Sequence, residues 1–301
     1  MKISKLAFAI IALGLSISTV NVQAQTNSHQ KWEGFVDKNQ FNSNFENKTA
    51  ELIKTESFVS VAQAAKDLVA LEGKKIQIPL AKQRKKTMDD AAIAKTLEPS
   101  FVAYGTAYDC GNCHRAHVNT ASGYVISEEG HIVTNYHVIE GYIESTKGTN
   151  LAMTIQMHDG EVYLVKEILS TFKDADLAIV KIDTKGKKLV ALPLGNTAEV
   201  GANIFVLSNP APMVNYFSTG KVARNYISPV SKTASLPQTD ITADYAAGSS
   251  GAPIVDQYGN LVSTVSSTRS IYYNMADQKD LQMVVKTTKP VVLLKELIIN
   301  L

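Results

Sequence analysis

The strongest constraint on this chain is a change of texture at Pro99. Beyond it, short apolar runs of strand length recur, each bounded by Gly, Asn, Asp or Pro. They cover 101–108, 123–127, 131–135, 151–157, 161–169 and 177–182, then 203–207, 215–226, 237–243, 252–255, 261–267 and 281–286. About twelve strands in two groups, at regular spacing with turns between, predict an all-β sandwich or a pair of β-barrels. The stretch 291–300 is apolar at helical spacing after Pro290 and predicts a terminal helix.

The part before Pro99 is different. Lys2 and Lys5 precede an apolar run from Leu6 to Leu15, and small or polar residues lead to Val22-Gln23-Ala24. This pattern describes a secretory leader over 1–24, cleaved near Ala24, and its apolar run is short for a membrane span. Residues 25–96 then read as a helical, loop-rich extension. Residues 25–50 are polar with weak periodicity and are expected to be poorly ordered. Leu52, Ile53, Val59, Val61, Ala62, Ala65, Leu68, Val69 and Leu71 form an imperfect helical stripe, with Gly73 as a stop. A second helical stretch runs from about Met88 to Leu97.

The chain has 30 basic and 28 acidic residues. Without the leader's Lys2 and Lys5 the two balance, which argues against general nucleic-acid binding. Lys82-Gln83-Arg84-Lys85-Lys86 is basic but lacks interleaved aromatics, and reads as a solvated linker. The leader implies a periplasmic or secreted protein, with no stable membrane insertion after cleavage.

Three segments carry chemistry. Residues 121–141, ASGYVISEEGHIVTNYHVIEG, place His137 at the end of a strand. Residues 174–183, DADLAIVKID, place Asp176 just before an apolar strand. Residues 241–262, ITADYAAGSSGAPIVDQYGNLV, place Ser250 in a tight turn. Nucleophilic acyl transfer uses these residue types together. A neutral imidazole takes the proton of an attacking hydroxyl, and a carboxylate holds the useful tautomer. Backbone N–H groups aimed at the developing oxyanion are each worth about 10²–10³ in rate. Here the candidate donors are the amides of Gly248 and Ser250.

These segments resemble the trypsin-like serine peptidases of chymotrypsin fold, most closely their bacterial HtrA-like branch. TNYHVIEG resembles that branch's His segment, DADLAIVKI its Asp segment and GSSGAP its Ser segment. Residues 192–210 and 218–222 resemble the stretches that follow the Asp. The resemblance covers 97–301 and implies two six-stranded antiparallel β-barrels. It also implies a serine endopeptidase in which Ser250 attacks, His137 transfers the proton and Asp176 orients it. The substrates would be polypeptides, with no cofactor and no catalytic metal.

Ser249 and Ala252 depart from the branch's usual Asn or Asp and Gly, both toward small residues. The branch usually carries a PDZ domain after the peptidase, and no segment for one follows here before Leu301. Peptide-regulated cage formation is therefore not carried over, and neither is trimerisation, because the N-terminal extension is not the branch's usual one. Asp244 lies at the offset where trypsin-like enzymes place the base of the primary specificity pocket. With Val265 and Ser266 it is a candidate lining residue, set against a plain structural or exposed Asp.

CGNCH, residues 110–114, matches a c-type haem attachment motif. In an exported chain a local Cys110–Cys113 disulfide is the simpler reading. Zinc bound by both thiolates with His114 or His117 is another. For the chain as a whole, the rivals to the peptidase are a catalytically inactive peptide-binding protein on the same fold and a haem protein.

Overall fold

The computed structural model describes residues 34–113, 115–144 and 148–300. The expected leader and His114 lie outside the described residues. The elements run α1 (Lys38–Thr55), α2 (Val61–Ala70), β1 (Ile76–Ile78), α3 (Asp90–Leu97), β2 (Phe101–Asp109), β3 (Ala116–Val125), β4 (His131–Thr134) and α4 (Tyr136–Glu144). There follow β5 (Thr149–Met157), β6 (Val162–Phe172), β7 (Leu177–Ile182), β8 (Asn203–Ser208), β9 (Tyr216–Pro229) and β10 (Ser235–Ile241). Last come β11 (Pro253–Val255), β12 (Leu261–Asn274), β13 (Lys279–Pro290), α5 (Val291–Lys295) and β14 (Ile298–Asn300).

Two antiparallel barrels close, each of six strands, in the orders β2-β3-β4-β7-β6-β5 and β10-β13-β12-β11-β8-β9. Strand β7 shows why its sequence is apolar on both faces. Ala178, Val180 and Ile182 point into the first barrel, whereas Leu177 and Ile179 join a second cluster with Phe205, Leu207, Val255 and Leu261 from the other barrel. The period-2 alternation of a strand thus feeds one face to a barrel interior and the other to the seam between barrels. Ile204, Val206, Val222, Ile254 and Val265 fill the second barrel.

The N-terminal extension is ordered further upstream than its polar composition suggests. Asp37 caps α1 by accepting the amides of Asn39 and Gln40, and Phe45 is buried against Ala103 and Val162 of the first barrel. The single helical stripe expected over Leu52–Leu71 is broken in two. Val59 leaves the helix to donate its amide to the Val165 carbonyl of β6 (3.1 Å), and Ser60 starts α2 by accepting from Gln63. The Lys82–Lys86 run is more than a solvated linker. The Arg84 amide and carbonyl pair with both ends of the Asn260 side-chain amide, and Gln83 donates to the Leu194 carbonyl.

The expected terminal helix is cut short after Lys295. The chain then extends, and β14 pairs in parallel with β1, Ile76 against Ile298. Val291, Leu293, Leu294 and Leu297 meanwhile bury in the seam between the barrels. No helix among the described residues is long and apolar enough to cross a membrane.

Candidate active site

Each of the three predicted residues stands in a connection between strands. His137 follows β4 in the first turn of α4. Asp176 closes the turn before β7, with its amide on the Lys173 carbonyl (3.0 Å). Ser250 lies in the turn between β10 and β11. The fold brings them into one line. His137 Nδ1 lies 2.9 and 3.0 Å from the two carboxylate oxygens of Asp176, and Nε2 lies 2.9 Å from Ser250 Oγ.

Asp176 is held from several directions. Its φ is +54°, a left-handed conformation that Asp tolerates better than most side chains. Asn135 Nδ2 donates to its carbonyl (2.7 Å) and the His137 amide donates to Oδ1 (3.1 Å). Ser266 Oγ donates to Oδ2 (2.6 Å). The carboxylate therefore meets donors from both barrels. Lys289 is also close enough to feel it: burial lowers the lysine pKa and the charge of Asp176 opposes that shift. Its ammonium donates to Gln238 Oε1 (3.0 Å).

The Ser250 turn is cross-braced. The Ser122 amide donates to the Ser250 carbonyl (2.9 Å), and Ser122 Oγ donates to the Gly248 carbonyl (3.0 Å). The amides of Ser249, Gly251 and Ala252 donate to Ala246, Val265 and Ser249 carbonyls. Those of Gly248 and Ser250 meet no acceptor among the described residues. Gly248 adopts φ +94° and Gly251 φ +84°, which a residue with a Cβ adopts only with strain. Beside the line lies an open cavity of about 450 Å³ whose walls include Thr106, Asn119, Thr120, Val138, Glu144 and Gly248.

The pocket residues expected from sequence are placed otherwise. Asp244 points outward, its side chain 74% exposed and paired with Lys286 Nζ (2.8 Å). Val265 is buried in the second barrel, and its backbone braces the Ser250 turn through the amide of Gly251 and the carbonyl of Ala252. Ser266 serves the carboxylate rather than a pocket. None of the three lines the cavity beside Ser250. Cys110 and Cys113 are free thiols with sulfurs 3.3 Å apart, well beyond the roughly 2.05 Å of a disulfide. The expected disulfide is not formed. Ser122 and Asn135 were missed as site residues, and Ser266 was named for a pocket rather than for Asp176. Asn135 sits inside the recognised TNYH run, but nothing local marks Ser122.

Comparison with known proteins bears on the family and the fold. The family described as trypsin-like peptidase domain matches residues 121–263. Protease Do-like 5, chloroplastic, of Arabidopsis thaliana is 36% identical over 157 residues, 50% of this chain and 48% of that protein. A probable periplasmic serine endoprotease DegP-like of Pseudomonas savastanoi pv. phaseolicola is 29% identical over 153 residues, 50% of this chain and 30% of that protein. The chain thus spans half or less of the length of these relatives. The crystal structure of Deg5 superposes with TM-score 0.52 at 25% identity, covering 68% of this chain and 90% of that one. Residues 121–263 are a trypsin-like peptidase domain whose homologues are HtrA and Deg proteases.

Proposed function

We propose that this chain is an exported serine endopeptidase acting on polypeptides in the periplasm or outside the cell. The hydrogen-bonded line from Asp176 through His137 to Ser250 carries the reading. Ser250 Oγ attacks the scissile carbonyl while His137 Nε2 takes its proton, and Asp176 holds the Nδ1–H and stabilises the imidazolium. The free amides of Gly248 and Ser250 receive the oxyanion. His137 then gives its proton to the leaving amine, and water hydrolyses the acyl-enzyme by the same route in reverse. The leader-like residues 1–24 support export. Asp244, paired outward with Lys286, is given no part in substrate selection in this reading.

The test is labelling by a serine-directed phosphonate together with cleavage of denatured protein. Wild type is expected to label and cleave, and Ser250→Ala to do neither. An unlabelled, inactive wild type would place the chain among inactive binders on this fold.

A further inference from the structure

Beyond the part of β2 and β3 that lines the cavity beside Ser250, the β2–β3 hairpin ends in a side-chain cluster that the peptidase reading does not use. Cys110 and Cys113 sit on its tip, and His117 lies on β3 opposite Tyr108 of β2. Cys113 Sγ is 3.3 Å from Cys110 Sγ and 3.0 Å from His117 Nε2. All three ligand atoms lie within 4.8 Å of one another, the one such grouping of His, Cys, Asp or Glu found among the described residues. The tip is shaped for this convergence. Gly111 takes φ +76°, and its amide donates to Asp109 Oδ1 (2.7 Å), folding the two cysteines onto one side.

A second observation concerns the imidazole. His117 Nδ1 faces Glu46 Oε1 of α1 at 3.5 Å. A carboxylate on one ring nitrogen fixes the proton there and leaves the lone pair of the other nitrogen for a metal. We propose that Cys110, Cys113 and His117 bind one zinc ion, with solvent in the fourth position. Two soft sulfurs and one imidazole suit zinc better than calcium or magnesium. Tetrahedral zinc with bonds of about 2.3 Å to sulfur and 2.0 Å to nitrogen separates the sulfurs by about 3.8 Å. The exposed tip therefore opens by about half an ångström on loading. Each thiol releases its proton to solvent as it ligates, so two protons leave and the ion's two positive charges meet two thiolates. A disulfide would use the sulfurs but would leave the Glu46–His117 pair without a role.

Zinc here would join three elements: both strands of the hairpin and, through Glu46, helix α1. Strand β3 continues from His117 to Ser122, which braces the Ser250 turn. The ion would thus fasten the outer end of a hairpin whose inner end supports the nucleophile.

The experiment is titration of the full chain, reduced and metal-free under argon, with cobalt(II) as a spectroscopic substitute. One equivalent is expected to produce thiolate charge-transfer absorption and the visible bands of a tetrahedral ion. One equivalent of zinc should displace it, with two protons released on first loading. Cys113→Ser and His117→Asn should abolish the tetrahedral spectrum, while far-ultraviolet circular dichroism confirms that both remain folded. Glu46→Ala should weaken zinc affinity by about 10–100-fold. Zinc should raise the thermal midpoint of wild type and not of Cys113→Ser. Absence of charge-transfer absorption in the reduced protein would overturn the proposal, as would a His117→Asn spectrum identical to wild type.

Discussion

Ser266 donates its hydroxyl to Oδ2 of Asp176 at 2.6 Å, so the second barrel grips a carboxylate that rises from the first. The bond keeps that carboxylate aimed at His137 Nδ1. Ser266→Ala is expected to lower kcat by roughly 10-fold, in line with the loss of about 1.5 kcal/mol for a hydrogen bond to a charged group. KM should stay unchanged, because Ser266 does not line the cavity beside Ser250. Ser266→Thr, which retains a hydroxyl, should restore most of the rate. A rise in KM alongside the fall in kcat would point to general disruption instead.

The Ser250 turn depends on Gly248 in a second way. A Cβ at this position would collide with the Asn209 carbonyl oxygen and crowd the Ala211 amide. With φ +94°, relief requires the backbone to rotate, which re-aims the Gly248 amide. Gly248→Ala is expected to cut kcat by about 100-fold or more through the lost oxyanion donor. Strain should cost about 1–3 kcal/mol of stability. Steady-state kinetics and urea melts separate the two effects. Full kcat in this variant would exclude the amide from the oxyanion site.

Most of the scaffold was legible because its signals are local. The run Leu177–Ile182 reads as a strand and is one, with the bounds expected. His137, Asp176 and Ser250 were each singled out as candidates by the few residues around them, and the fold brings them into one line. What stayed hidden depends on distant partners. β1 and β14 are three-residue strands that exist only because they pair with each other, so the terminal stretch keeps a helical pattern yet extends. Val59 breaks the expected long helix to reach Val165, a partner no local window contains. Ser266 lies 90 residues from Asp176, and its neighbours suggest only a strand. Asp244 had two readings, pocket base or exposed carboxylate, and counting back from Ser250 could not choose between them. Its partner Lys286 on β13 lies outside any local window, and the exposed reading is the one the structure has.

His131 makes stability depend on pH. It is buried with Nδ1 2.5 Å from Ser127 Oγ. Burial, assisted by the nearby Lys181 charge, pushes its pKa down from 6.5 to about 4. In that window the unfolded chain binds a proton that the folded chain does not. The contribution is therefore complete above about pH 6.5 and is lost as pH falls toward 4. The thermal midpoint of wild type should drop from pH 7 to pH 5. His131→Gln, which has no proton to gain, should show a smaller drop over the same interval. Equal drops would assign the effect to other groups.

Phe45 tests whether α1 is part of the folded unit or an appendage. Its ring is 1% exposed and fits a notch at Gly105, where an added Cβ would lie 2.7 Å from the ring edge. Asn44 Nδ2 donates to Gln156 Oε1 and to the Gly160 carbonyl, and Thr49 meets Thr154, so polar contacts flank the ring. Phe45→Ala should cost about 3–5 kcal/mol if the helix and barrel unfold together, lowering one cooperative melting transition. Gly105→Ala forces the ring out of its notch and should be costly in wild type. Val118 and Thr154 also crowd this site, so part of that cost persists without the ring. In a Phe45→Ala background the remainder should disappear, giving a coupling energy of the size expected for residues in contact. If α1 were an appendage, Phe45→Ala would leave the barrel transition in place and the two substitutions would simply add.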